Sequence, residues 1–406
     1  MYIRQNFSLI ALFSLAGLLF VSLLGEAASV SVTIFYLLVL VYLFYLASVT
    51  DDVFVHPLLL FSLTYVFIVL SSFSSDTANP TILFLYFSCY VGYVVGWHIS
   101  SKRVNFNLKS IGFSYMKPTS FALVALFLLV AAFQFNIAIY IALIVAHIAA
   151  AVYVTRSKSA LKWFLPVLVA GFSFLLGKIV LLRLFILFYF ADRFVSKRKR
   201  PLAVYAVLAI VMAGLFIAFN YRRFLLEGNI DYVELGALAL MNIDVLMTLL
   251  VAGSDYFWSL RQLVEGEWAE FGSFGLTYLS APLKFFPQSI FFFRPDSGNF
   301  VMNSYLFDGY EKNSYTMAAT FVGELYINFG RFACVGAVLL GLVLKQVYLT
   351  AKLAAEGSRS GWLYLACFFA LQFSLVRDDF NVSFGTFILY AAVIYIFVGR
   401  QKASES

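Results

Sequence analysis

The chain is expected to be an all-α protein, a polytopic integral membrane bundle of about twelve transmembrane helices, on three observations. Hydrophobic residues make up 63% of its 406 residues, charged residues make up 12%, and mean hydropathy is +0.91. A soluble domain of this length could not hide so much apolar surface. Apolar runs recur along the whole length without the alternation of barrel strands, so helices are the economical way to satisfy every backbone group in lipid.

In chain order the expected spans lie near residues 8–25, 30–49, 54–73, 80–99, 119–134, 136–154, 161–176, 179–195, 201–219, 331–349, 361–376 and 383–399. The first has only Arg4 before it, is long for a secretory signal and runs directly into the next, so it is expected to be retained. The pairs meeting at "QFN" and "GK" can also be drawn as single long helices. Between the ninth and tenth spans lies a loop, residues 220–317, within a single membrane domain covering 1–406. It is too long for a simple connection, and long loops in compact folds are usually functional. It is also apolar. "ELGALALMNIDVLMTLLVAG" and "LTYLSAPLKFFPQSIFFF" would either add two spans, giving fourteen, or lie in or dip into the outer leaflet, the reading preferred here. Cys89, Cys334 and Cys367 are scattered singly in apolar stretches without metal-ligand spacing and read as core thiols.

Lysine and arginine set the orientation, because they are retained on the cytoplasmic side. With the amino terminus inside, Arg4, "SKRVNFNLKSIGFSYMK", "TRSKSALK", Arg193 with "KRKR", Lys345, Lys352, Arg359, Arg400 and Lys402 collect there, the majority of the 28 basic residues. Both termini are therefore expected in the cytoplasm. The inner basic clusters are explained by topology and anionic headgroups, and no nucleic-acid partner is expected. Most acidic residues fall on the other side, so the outer basic residues need a separate reason.

Those residues are Lys178, Arg183, Arg222, Arg223, Arg261, Lys284, Arg294, Lys312, Arg331 and Arg377. Arg261 and Lys312 read best as partners of the outer acids. Arg183, Arg294 and Arg377 are flanked by apolar or aromatic residues that would hold them at lipid depth, where a charge faces a partner or a cavity. Guanidinium groups bind phosphate oxygens in bidentate fashion and stay charged at physiological pH. A lipid-linked pyrophosphate, anionic at headgroup level with its tail in the bilayer, suits that placement.

Several stretches resemble one family in order. These are "GKIVLLRLF", "LMNIDVLMTLLVAG" with a central Asp244, "FGLTYLSAPLKFFPQSIFFFRPDSGN", "AATFVGELYINFGRFACVGAVLLG" and "SLVRDDF", with "VFVHPLLLFSLTYVF" as a weaker match near the front. From about residue 160 to 400 the chain resembles the oligosaccharide repeat-unit polymerases, the Wzy-type O-antigen polymerases of bacterial envelopes. It departs from them at Gln288, where the family often has arginine, and at Arg294, where it often has lysine.

The resemblance implies a C-type, membrane-embedded glycosyltransferase of the bacterial inner membrane, acting at the periplasmic face without a metal or cofactor. Such an enzyme transfers a glycan en bloc from undecaprenyl pyrophosphate to another lipid-linked repeat unit, with a chain-length regulator as a further partner. Lys178, Arg183, Arg222, Arg223, Lys284, Arg294 and Arg377 would bind the pyrophosphate. Glu324, Asp378 and Asp244 are the candidates for accepting the proton of the acceptor hydroxyl. Glu324 as a helix-end partner of Arg331, and Asp378 and Asp379 as salt-bridge partners of Arg377, are the structural alternatives. An O-antigen ligase would carry a functional histidine in its outer loop, yet His56, His98 and His147 fall in the cytoplasmic half. A sugar transferase with an acidic pair in its first outer loop is disfavoured because charge places Asp51 and Asp52 inside. A flippase would not need so large an outer loop.

Overall fold

The computed structural model describes residues 30–49, 56–72, 80–99, 136–156, 168–169, 183–184, 186–190, 256–266, 273–283, 295–307, 318–357 and 361–395. Among the described residues every regular element is helical and there is no strand. The helices are α1 (Val30–Val49), α2 (Pro57–Ser72), α3 (Pro80–Ile99), α4 (Asn136–Arg156), α5 (Tyr256–Glu265), α6 (Leu276–Leu283), α7 (Gly298–Leu306), α8 (Thr320–Phe329), α9 (Ala333–Gly357), α10 (Trp362–Arg377) and α11 (Phe380–Val393). A single 3-10 turn, Gly330–Phe332, joins α8 to α9. The expected spans at 8–25, 119–134 and 201–219 lie outside the described residues, as do those at 161–176 and 179–195 apart from short pieces.

Among the described residues two stretches are long and apolar enough to cross a membrane, Thr81–Ile99 and Thr320–Glu356. The second is not one rod. Gly330 takes φ 54° and ψ −128°, a backbone state that favours glycine, and Phe329 folds back onto Gly336. Ten-residue α8 is thereby turned off the axis of 25-residue α9. Shorter apolar helices occur at Leu37–Leu46, Pro57–Val66, Ile141–Tyr153, Trp362–Arg377 and Phe380–Val393. Inside the expected outer loop, α5, α6 and α7 are short helices of 10, 8 and 9 residues.

The described residues divide between two compact units. The first holds α1–α3, α5–α8, the first half of α9 and the facing ends of α10 and α11. Proline opens α2 and α3 at the first helical position, where its missing N–H costs nothing. Aromatic rings fill the interior: Phe61 stacks on Tyr93 at 4.1 Å, and Phe321 of α8 meets Tyr93 edge-on at 5.5 Å. Several hydroxyl groups in this core are satisfied locally. Tyr65 donates to the Tyr86 carbonyl at 2.6 Å, and Ser62 and Tyr90 share a 2.7 Å hydrogen bond.

A seam of small residues joins α3 to α9. Gly92 and Gly96, spaced as G-x-x-x-G, lie against the backbone at Cys334 and Val338, while Gly341 lies against Tyr93 and Trp97. Because both partners advance together, the two helices run parallel. Between helices in lipid, close backbone approach supplies the van der Waals contact that hydrophobicity cannot.

The second unit contains α4, the described residues around 183–190, the second half of α9 and the remaining parts of α10 and α11. Residues 142–152 of α4 are buried without a break. Phe190 stacks on Phe369 at 3.9 Å, and His147 Nδ1 hydrogen-bonds the Tyr390 hydroxyl. Arg183 is buried here, within electrostatic reach of His147.

The seam gives a stability test. A Cβ at residue 96 would lie 2.8 Å from the Val338 carbonyl carbon. Gly96→Ala is expected to cost about 1–3 kcal/mol through overpacking, read as a lowered unfolding temperature of the detergent-solubilised protein. Leu339→Ala, on the exposed face of α9, is expected to leave that temperature nearly unchanged.

Candidate functional site

The first unit contains a buried polar junction whose members come from four separated stretches of sequence. At its centre is Glu324, 1% exposed, in the middle of α8. The Thr277 hydroxyl donates to its Oε1 at 2.8 Å, and the backbone N–H of Phe380, first residue of α11, donates to Oε2. Gly298, first residue of α7, lies against the same carboxylate. A Cβ there would come within 2.9 Å of the Glu324 Cγ and Cδ, so any side chain at 298 would displace the acid.

Asparagines and a second acid complete the arrangement. Asn328, one helical turn after Glu324, accepts from Thr277 N at 3.4 Å and donates to Thr277 Oγ1 at 2.6 Å and to the Glu324 carbonyl at 2.8 Å. Asp379, immediately before α11, accepts from Val382 N at 2.7 Å through Oδ1 and from Asn299 N at 3.1 Å through Oδ2. Asn299 Oδ1 in turn accepts from Ala319 N at 2.6 Å, just before α8. Asn381 donates to the Ser280 hydroxyl, which itself donates to the Thr277 carbonyl at 2.6 Å. Two carboxylates thus meet the starts of α7 and α11, where unpaired N–H groups and the helix dipole favour negative charge.

Around the junction, Tyr278 meets Phe380 edge-on at 4.9 Å, and Phe380 stacks on Phe384 at 4.7 Å. The aromatic shell keeps the polar groups from water, which strengthens each hydrogen bond and raises the cost of leaving one unmade. Among the described residues no three His, Cys, Asp or Glu side chains are grouped as metal ligands would be.

No protein-family model, curated protein or solved structure matches this chain.

Of the residues singled out from sequence, Glu324, Asp378 and Arg377 lie in this unit. Asp378 is buried, and its N–H closes the last turn of α10 on the Ser374 carbonyl at 2.8 Å. Arg377 is the half-buried last residue of α10, leading directly into the acidic pair. Glu324 spends its carboxylate on Thr277 and Phe380 N, whereas Arg331 is exposed. Arg183 is buried in the second unit. Asp244, Lys178, Arg222, Arg223, Lys284 and Arg294 lie outside the described residues. Arg261 pairs with Glu265 at 2.7 Å on the surface of α5, the bland role expected of it.

Sequence reasoning passed over Thr277, Asn299, Asn328 and Asn381, and took Asp379 only as an ion-pair partner. Two signals were present. Asp379 stands where an Asp favours a helix start, and Asn328 follows Glu324 at the i, i+4 spacing that stacks side chains on one helical face.

Removing the Glu324 carboxylate leaves a buried N–H and a buried hydroxyl without their acceptor, each costing about 1–3 kcal/mol. Glu324→Ala is therefore expected to lower the unfolding temperature sharply, and Glu324→Gln to lower it less because one carbonyl acceptor survives. Gly298→Ala should destabilise without altering any charge. Thermal unfolding of the purified variants in one detergent checks all three.

Proposed function

We propose that the chain polymerises lipid-linked oligosaccharide repeat units at the outer face of a bacterial inner membrane. The observation that supports this reading is the meeting of sequence pieces that carry the family resemblance. Thr277 from "FGLTYLSAP", Gly298 and Asn299 from "DSGN", Glu324 and Asn328 from "VGELYINFG", and Asp379 and Phe380 from "VRDDF" join in one hydrogen-bonded junction. Stretches that were merely in order along the chain thereby become parts of one object.

In this reading about twelve helices span the membrane with both termini cytoplasmic, and the region 220–317 faces the periplasm. The acceptor hydroxyl attacks the anomeric carbon of the donor glycan while the bond to the pyrophosphate oxygen breaks. The hydroxyl proton passes to a carboxylate, for which Asp378 and Asp244 stand as the candidates. Glu324, with both oxygens already accepting hydrogen bonds, is assigned a positioning role: it holds the start of α11 and with it the Arg377–Asp378–Asp379 turn. Arg377, together with Arg183, Arg222, Arg223, Arg294, Lys178 and Lys284, would stabilise the charge that develops on the departing pyrophosphate. The partners are the undecaprenyl-pyrophosphate-linked oligosaccharide and the surrounding lipids.

Arg377→Ala and Arg294→Ala are each expected to cut turnover about 10²-fold or more, as loss of one preorganised charge donor does. The readout is the surface polysaccharide ladder of a strain expressing the variant at wild-type level. Loss of long chains with one-repeat material retained supports polymerisation. An unchanged ladder in both variants, or loss of the single repeats as well, counts against it.

A further inference from the structure

Helix α6 is inside out. Its polar residues Thr277 and Ser280 are 1% and 0% exposed and bonded into the junction, whereas Leu276 and Leu279, about 100° further round the helix, are 52% and 57% exposed. Phe274, just ahead of the helix, is 82% exposed. A helix packed on a soluble core carries the reverse pattern, leucines in and hydroxyls out. In hydrocarbon the solvent penalises polar groups instead, so they turn toward protein.

The backbone shows that this exposure is held in place. Phe274 has φ +46°, a conformation that bulky side chains rarely adopt. The flanking turn is tied down on both sides: Ser273 N donates to the Ile327 carbonyl of α8 at 2.8 Å, and Leu276 N donates to the Ser273 carbonyl at 2.9 Å. The Phe329 ring lies between Gly275 and Gly336, which brings the α6 entrance beside the start of α9. Along α9, Val335, Leu339 and Val343 recur every four residues on one exposed face, with Phe332 just before them. The apolar surface of α6 therefore continues one that runs along a helix of membrane-spanning length. Depth agrees, since α8 packs by Phe321 against Tyr93, well inside α3 rather than beyond its ends.

We propose that the exposed edge of α6, Phe274 with Leu276 and Leu279, is embedded in the acyl chains of the bilayer, so that the Glu324 junction lies at hydrocarbon depth behind a single short helix. This goes beyond the polymerase reading and does not require it. The occupant is bilayer lipid rather than a second protein, because the edge continues the exposed apolar face of α9, a helix of membrane-spanning length.

The test places a nitroxide label at Phe274→Cys and, separately, at Leu279→Cys, in the full-length chain carrying Cys334→Ala and reconstituted in phosphatidylglycerol–phosphatidylethanolamine vesicles. Collision with oxygen is compared with collision with a water-soluble nickel chelate, and Glu265→Cys on charged α5 supplies the aqueous reference. Both labels are expected to shift strongly toward oxygen relative to residue 265. A ratio equal to that reference at either position overturns the proposal, as does low collision with both reagents, the signature of a covering protein. Two positions on one face guard against a variant that fails to fold, since the surviving one decides. Polymer synthesis does not enter the readout, so failure here and failure of the functional reading are distinguishable.

Discussion

The organisation of the first unit depends on one buried carboxylate. An ionisable group held away from water must find hydrogen-bond donors, and Glu324 finds them in the hydroxyl of Thr277 and the first N–H of α11. These bonds reach across 47 and 56 residues of sequence. One side chain on α8 thus reaches both α6 and α11, and Asn328 adds a second tie to α6. Gly298 is constrained by the same group, because only a residue without a side chain leaves room for it.

Other regularities fit the packing rules of helices in lipid. The G-x-x-x-G face of α3 and the small residues of α9 permit backbone contact where burial of leucine would gain nothing over leaving it in hydrocarbon. In the aromatic interior of α2, α3 and α8 the Tyr65 hydroxyl is bonded to a carbonyl, and those of Ser62 and Tyr90 to one another. Helix α6 follows the same rule with its polarity reversed relative to a soluble helix. Its hydroxyls serve the junction, and its leucines face outward.

The relation between helix starts and acids also bears on chemistry. Asp379 and Glu324 satisfy N–H groups at the beginnings of α7 and α11 and so fix the backbone next to Arg377 and Asp378. A reactive or charge-binding turn gains accuracy when its neighbours are locked by hydrogen bonds rather than left to loop motion. That is a reason to separate residues that act from residues that hold, and the positioning role proposed for Glu324 puts it with the second group.

Sequence alone determined the all-helical character of the described residues and the position of many helices. The expected spans at 30–49 and 80–99 coincide with α1 and α3, and those at 136–154, 331–349 and 361–376 match α4, α9 and α10 to within a few residues at most ends. Such assignments are legible because hydropathy and length are local, and a chain in lipid must close its backbone hydrogen bonds within each segment. Glu324 also stood out, as an acid in an apolar stretch. What tertiary structure alone decided was the company that acid keeps: Thr277, Gly298, Asn299, Asp379 and Phe380 instead of Arg331. No local pattern encodes a contact between residues dozens of positions apart. The break at Gly330 and the outward turn of the α6 leucines were likewise settled by packing, because the same apolar letters are compatible with a straight span and with a helix folded back beside it.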